Sequence, residues 1–218
     1  MGLEDRRRRE KESRKSAILK AARRLFFEKG FKSVTVDNIA QKAELSKGSV
    51  YLYFKSKEEI YTHILLTDIE KFHRKIDELL PQDQNAADSL KKYANIYIDI
   101  FLNDEELFRM LMSFMLNTDQ MNLPDSLNNN LIKMTNKTVN ICEKLLQTGI
   151  ERGEFPSSIN LRLTRNAVWG LLNGVISLYI MTGPNSLREE RIRSTVESGL
   201  DTLIRGLKSE SSDSSASR

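Results

Sequence analysis

The segment TVDNIAQKAELSKGSVYLYFKSKEE, Thr35 to Glu59, decides how this 218-residue chain is read. Val36, Ile39, Ala40 and Ala43 recur at i, i+3, i+4 and i+7, the apolar stripe of a helix packed on a core. Thr35 stands where an N-cap belongs, Leu45 plugs a tight turn, and Ser46 can N-cap a second helix through its hydroxyl. That second helix buries Val50 and Phe54, four residues apart, and turns Lys47, Ser49, Tyr51 and Tyr53 outward. Two tyrosines, a lysine and a serine beside Gly48 make a poor solvated face. They suit a recognition helix set into a DNA major groove.

The elements on either side fit this core. Ile18, Ala21, Ala22, Leu25 and Phe26 form the buried face of a first helix that stops at Gly30, with Phe31 as the apolar contact after it. Ser56-x-x-Glu59 is a capping box that opens a long fourth helix reaching about Leu80. Lys57 lies in its first turn, where the helix dipole disfavours a cation and a nearby phosphate would offset the cost. Upstream, residues 6–24 hold ten Lys or Arg, an electrostatic footprint at one end of the chain. Residues 1–11 read equally as a basic arm that contacts phosphates and as a solvated extension of the first helix.

SKGSVYLYFKSKEE, preceded by TVDNIAQKA and by a helix ending AARRLFFEKGF, closely resembles the DNA-binding domain of TetR/AcrR-type transcriptional regulators. The resemblance covers residues 12–72, with the helix-turn-helix at about 35–54. It implies an all-α protein of about nine helices, in which a three-helix DNA-binding domain joins a C-terminal ligand-binding and dimerisation domain, residues 73–208, through helix 4. Carried over residue by residue, it gives Thr35, Ser46, Lys47, Gly48, Ser49, Tyr51, Tyr53 and Lys57 as DNA contacts. The residue chemistry agrees: hydroxyls, lysines and helix N-terminal amides hold phosphates, Gly48 allows close approach, and Ser49, Tyr51 and Lys47 are best aimed at bases.

Beyond residue 80 the chain continues as helices. Helix 5 is expected over Ser89–Leu102 after a polar break from Pro81, and helix 6 over Glu105–Leu116, apolar nearly all round and so buried. Helix 7 runs from Pro124 to about Arg152, helix 8 from a cap at Asn160 to Gly183, and helix 9 from the capping box Ser186–Glu189 to about Leu207. The tail 209–218, SESSDSSASR after Lys208, reads as disordered.

Six of the seven methionines lie beyond residue 100, several near phenylalanines. Phe101, Phe108, Met112, Met115 and Trp169 are therefore candidates for an adaptable, largely apolar effector pocket, against ordinary core packing. Gly170-x-x-x-Gly174 permits a close helix approach, and the resemblance places it in the dimer interface formed by the last two long helices.

Other classes find little support. Glu70-x-x-His73 with Asp77 shares one helix face, but a metal site needs partners from other helices, and the second histidine, His63, lies on a different face. No metal or cofactor is expected, and neither a nucleophile–base pair nor a phosphate-binding glycine loop suggests an enzyme. The single cysteine, Cys142, fits a reducing cytoplasm. The apolar run 167–183 contains Asn173 and falls short of the roughly 20 residues a bilayer core requires. Hydrophobic content of 39% with 29% charged residues favours a thin, helix-rich fold. The expected function is a homodimeric repressor that binds a palindromic double-stranded operator and is released by a small-molecule effector, with no membrane association. An all-α enzyme or metal protein, and a DNA-binding regulator controlled by a protein partner, are the alternatives.

Overall fold

The computed structural model describes residues 2–79, 84–182 and 187–213, and among these every regular element is helical. The helices are α1 (Leu3–Ser33), α2 (Val36–Lys42), α3 (Lys47–Tyr51), α4 (Lys57–Leu79), α5 (Ala86–Asn103), α6 (Glu105–Met121), α7 (Asp125–Glu151), α8 (Leu161–Thr182) and α9 (Arg188–Asp213). They form two compact units: Met1–Glu70 with Asp104–Met134, and Lys71–Asn103 with Thr135–Arg218.

In the first unit, Ile18, Ala22, Leu25 and Phe26 of α1 are buried with Ile39, Val50, Phe54, Ile60 and Tyr61. Gly30 breaks α1 at φ 74°, ψ 160°, a conformation few side chains tolerate. Upstream the helix is continuous to Leu3, so the basic run Arg6 to Arg9 is carried on a helix.

The resemblance implies one C-terminal domain over residues 73–208; in the structure α6 groups with the N-terminal helices. Charged and polar bonds accompany this packing. Arg23 on α1 pairs with Asp68 of α4 at 2.9 Å, with Asp104, and with Glu106 at 3.6 Å. Asp104 also caps α6, accepting the Leu107 N–H at 2.9 Å. Further along, the Tyr61 hydroxyl donates to the Met110 carbonyl at 2.7 Å, and Lys32 donates to Gln120 at 2.9 Å. Because its inward face alone is covered, α6 is amphipathic rather than buried all round: Leu107, Phe108, Met110, Leu111 and Phe114 are buried, while Leu116 is 80% exposed.

The second unit centres on aromatic residues of α5. Tyr97 stands 4.6 Å from Phe101, 5.3 Å from Trp169 and 5.7 Å from Phe72, ring centre to ring centre. Its hydroxyl donates to Asn173 Oδ1 at 2.7 Å, and that of Tyr93 donates to the Thr138 carbonyl at 3.2 Å. Burial pushes both phenols well above their ordinary pKa and raises the Cys142 thiol to about 12, so all three are neutral packing groups. On α9, Gly199 lets α8 come close, since a Cβ there would lie 2.8 Å from Leu171 Cδ1.

Several helix limits differ from expectation. α5 begins at Ala86, three residues early, because Asn85 accepts the Asp88 N–H at 2.8 Å and caps the helix. α6 continues to Met121 through an irregular Asn117. α9 runs to Asp213, so 209–213 are helical where disorder is expected. Ser186 of the second capping box, residues 80–83 of the polar break and the tail from 214 lie outside the described residues.

Candidate nucleic-acid interface

The helix-turn-helix is built by short-range bonds. The Thr35 hydroxyl accepts the Asn38 N–H at 3.2 Å and Asn38 Oδ1 accepts the Thr35 N–H at 3.1 Å, a reciprocal cap on α2. The turn closes with the Leu45 N–H on the Ala40 carbonyl at 2.9 Å, while Glu44 takes a left-handed φ of 57°. Ser46 Oγ then accepts the Ser49 N–H at 3.1 Å and starts α3. At the head of α4, Ser56 Oγ accepts the Glu59 N–H at 3.3 Å, and the Glu59 carboxylate reaches back to the Lys55 N–H at 2.5 Å.

α3 itself is short and ends at Tyr51, but the Phe54 N–H still bonds the Val50 carbonyl at 3.1 Å, so Val50 and Phe54 share one buried face. Lys47, Gly48 and Tyr51 are exposed, with Ser49 and Tyr53 half-buried. Thr35, Lys47, Tyr51 and Lys57 meet in an open cleft of about 350 Å³, which Lys55 and Asp37 also line. Lys47 Nζ donates to Asp37 at 2.7 Å, and this bond raises the lysine's pKa. A Cβ added at Gly48 would meet nothing closer than Ser46 Oγ at 3.9 Å. Packing within the chain therefore does not demand a glycine in α3, where it costs about 1 kcal/mol relative to alanine.

Lys57, expected as a DNA contact, is also bonded within the chain. Its ammonium donates to the carbonyls of Phe31 and Val34, each at 3.0 Å, and of Lys32 at 3.4 Å, and lies 4.5 Å from the Phe31 ring centre. All three protons are thus directed at the end of α1, and these carbonyl oxygens offset the cation's place in the first turn of α4. Two exposed neighbours join the face without having been expected there. Leu52 is 80% exposed beside Tyr51, which is 47% exposed. Lys55 is the second. The available signal is their position off the Val50–Phe54 stripe.

The five pocket candidates divide between the units. Phe101 and Trp169 flank Tyr97 in the second, whereas Phe108, Met112 and Met115 ride on α6 in the first, with Met115 exposed. Neither unit gathers all five. Gly170 and Gly174 lie on the outer face of α8, and an added Cβ at either would meet no atom of this chain within 4 Å. Leu163 and Leu178 on α8 are exposed too. His73 is buried and shares a 2.9 Å hydrogen bond with Thr138 Oγ1. Among the described residues no three His, Cys, Asp or Glu side chains gather as metal ligands, and no helix is long and apolar enough to cross a membrane.

An all-helical chain with a capped helix-turn-helix that exposes serine, lysine and tyrosine beside a glycine belongs to the DNA-binding transcription regulators. Residues 18–64 match the model of bacterial regulatory proteins of the tetR family, and residues 83–200 match that of the tetracyclin repressor-like C-terminal domain. The chain belongs to the TetR family of transcriptional regulators. It is similar to the fatty acid metabolism regulator protein of Bacillus subtilis strain 168, at 24% identity over 164 residues, 75% of this chain and 82% of that protein. Among solved structures, the TetR family regulator PfmR of Thermus thermophilus superposes with a TM-score of 0.71 at 26% identity, over 87% of this chain and 98% of that one. The regulator FadR of Bacillus subtilis, solved in complex with stearoyl-CoA, has the same fold, with a TM-score of 0.70 at 21% identity over 88% and 98% of the two chains. These relatives are transcriptional regulators rather than enzymes.

Proposed function

We propose that the protein is a homodimeric cytoplasmic repressor that binds a palindromic operator and is released by a long-chain acyl thioester. The observation that carries the DNA-reading part is the outward face of α3, where Gly48 has room for a side chain that the chain leaves empty, between Lys47 and Ser49. Ser46, Lys47 and Thr35 hold phosphates, Ser49 and Tyr51 read base edges, and Leu52 offers an apolar surface to thymine methyl groups. Two copies are needed because one recognition helix reads only a few base pairs, and the open glycine face of α8 supports pairing through helices α8 and α9. The acyl-thioester reading rests on the ligand in the Bacillus subtilis FadR complex and on the apolar, aromatic character of the core around Tyr97. An effector of this kind acts only by favouring a conformation that DNA does not.

Selection of duplexes from a random library tests the proposal. Wild-type protein should enrich a palindrome with half-site centres about 34–36 Å apart, and Tyr51→Ala should relax the preference at specific positions. Added stearoyl-CoA should release the bound duplex at concentrations where coenzyme A alone does not. Enrichment of no sequence would remove the DNA-reading role, and enrichment of an unpaired half-site would remove the dimer.

A further inference from the structure

α1 is longer than its packing needs. Its first buried residue on the core-facing stripe is Ile18, and every described side chain from Glu4 to Arg14 is exposed or nearly so. Fifteen residues of helix, Leu3 to Ala17, therefore precede the core. An isolated helix of that length is marginal in water, so this one is sustained by continuity with the packed part and by local pairs. Arg8 pairs with Asp5 at 3.2 Å and Arg14 with Glu10 at 2.6 Å, while Glu4 and Asp5 suit the dipole at the start.

The stripe that buries Ile18, Ala22 and Leu25 continues upstream at the same helical spacing as Lys15, Lys11 and Arg7. Where the core ends, the face changes from apolar to basic without changing direction. Lys15 marks that direction, because its ammonium lies 5.7 Å from the ring centre of Phe54, the residue that anchors the recognition segment. It also lowers the pKa of His63, after burial, the larger cause. Among the described residues neither Arg7 nor Lys11 forms an ion pair. At 1.5 Å per residue, the overhang from Lys15 to Leu3 spans about 18 Å, or about five base-pair steps of 3.4 Å.

We infer that this helical overhang is a second phosphate-binding element, in which Arg7 and Lys11 grip the backbone of DNA flanking the bases read by α3. A phosphodiester backbone is the occupant because the stripe is basic, lacks aromatic or apolar anchors, and continues directly from the helix-turn-helix surface. The inference rests on the proposed DNA-reading role and adds to it a dependence on flanking DNA of any sequence. Two contacts per protomer make four per dimer, and each should contribute about 0.9 to the slope of log K against log salt.

The test uses the full chain and the duplex enriched by wild-type protein, either trimmed at the half-site ends or extended by ten base pairs of arbitrary sequence on each side. Arg7→Gln with Lys11→Gln keeps good helix formers, so circular dichroism should be unchanged. The double variant should lower the salt slope by about 3 to 4 on the extended duplex and leave the trimmed duplex nearly unaffected. Arg7→Lys with Lys11→Arg should restore the slope. Equal slopes for wild type and the Gln variant on the extended duplex would overturn the inference and leave the reading by α3 standing. Failure of wild-type protein to enrich any duplex would instead overturn the underlying proposal.

Discussion

The surface around α3 and the core around Tyr97 are both rich in tyrosine and hydrogen bonds, yet they are held in different ways. Around α3 the side chains that set the backbone act three residues away: Thr35 with Asn38, Ser46 with Ser49, and Ser56 with Glu59. Around Tyr97 the partners are remote in sequence, 76 residues for Tyr97 with Asn173, 65 for His73 with Thr138 and 45 for Tyr93 with Thr138. Local bonds form with little loop-closure cost and fix a surface in advance of its ligand. Remote bonds exist only while several helices keep their places, so the packing they hold is sensitive to any shift among those helices. A regulator needs both: a rigid reader and a responsive core.

The sharpest way to break this contrast is at the remote bonds. In Tyr97→Phe, Asn173 Oδ1 keeps its place beside a fully buried ring but loses its donor. Because Asn173 is only half-buried, loss of this bond should cost about 0.5–1.5 kcal/mol. The urea midpoint should fall with an unchanged m-value, and the intrinsic affinity for the selected duplex should hold within a few-fold. A variant as stable as wild type would mean that the Tyr97–Asn173 bond is not what keeps α5 against α8.

Ser46→Ala breaks the local side of the comparison. Loss of an N-cap serine costs about 1 kcal/mol, within a range of 0.5–2. Here the loss frees the Ser49 N–H at the start of a five-residue helix, so it should appear as faster amide exchange in α3. DNA affinity should drop further than global stability does, the reverse of the Tyr97→Phe pattern. Equal losses in both measurements would erase the distinction between reader and core.

The same contrast separates what the amino-acid sequence makes legible from what only the folded chain reveals. The caps at Thr35, Ser46 and Ser56, the break at Gly30 and the Val50–Phe54 face are all legible, since each depends on residues within four positions. The bonds of Lys57 to the carbonyls of Phe31, Lys32 and Val34 are not legible in the sequence, because those residues lie more than twenty positions upstream. The membership of α6 is hidden for a similar reason: Arg23 and Asp104, which tie it to α1, are 81 residues apart. Its apolar sequence suggests burial on all sides, but only tertiary packing decides which face is covered, and Leu116 is left out. The glycine that brings α8 and α9 together is Gly199, whereas Gly170 and Gly174 are open to the outside.

The smallest effect lies in the turn of the reader. Glu44 holds φ 57° with an exposed side chain, a conformation that costs a residue with a Cβ about 1–2 kcal/mol. Glycine relieves that strain but loses about 0.5–1 kcal/mol through the greater freedom of its unfolded chain. Glu44→Gly should therefore raise stability by a net amount of about 0.5–1 kcal/mol, and Glu44→Ala, which keeps the Cβ, should bring no such gain. The turn is closed by the Leu45 N–H on the Ala40 carbonyl, a bond that neither variant touches, so α3 should keep its place. A melting temperature that rises for the glycine variant alone, with the preferred duplex unchanged, is the expected result. If alanine stabilised as much as glycine, the strain would not reside in the left-handed backbone. The gain would then come from removing a carboxylate beside the DNA-reading face, and the turn could no longer be counted among the features that local geometry alone determines.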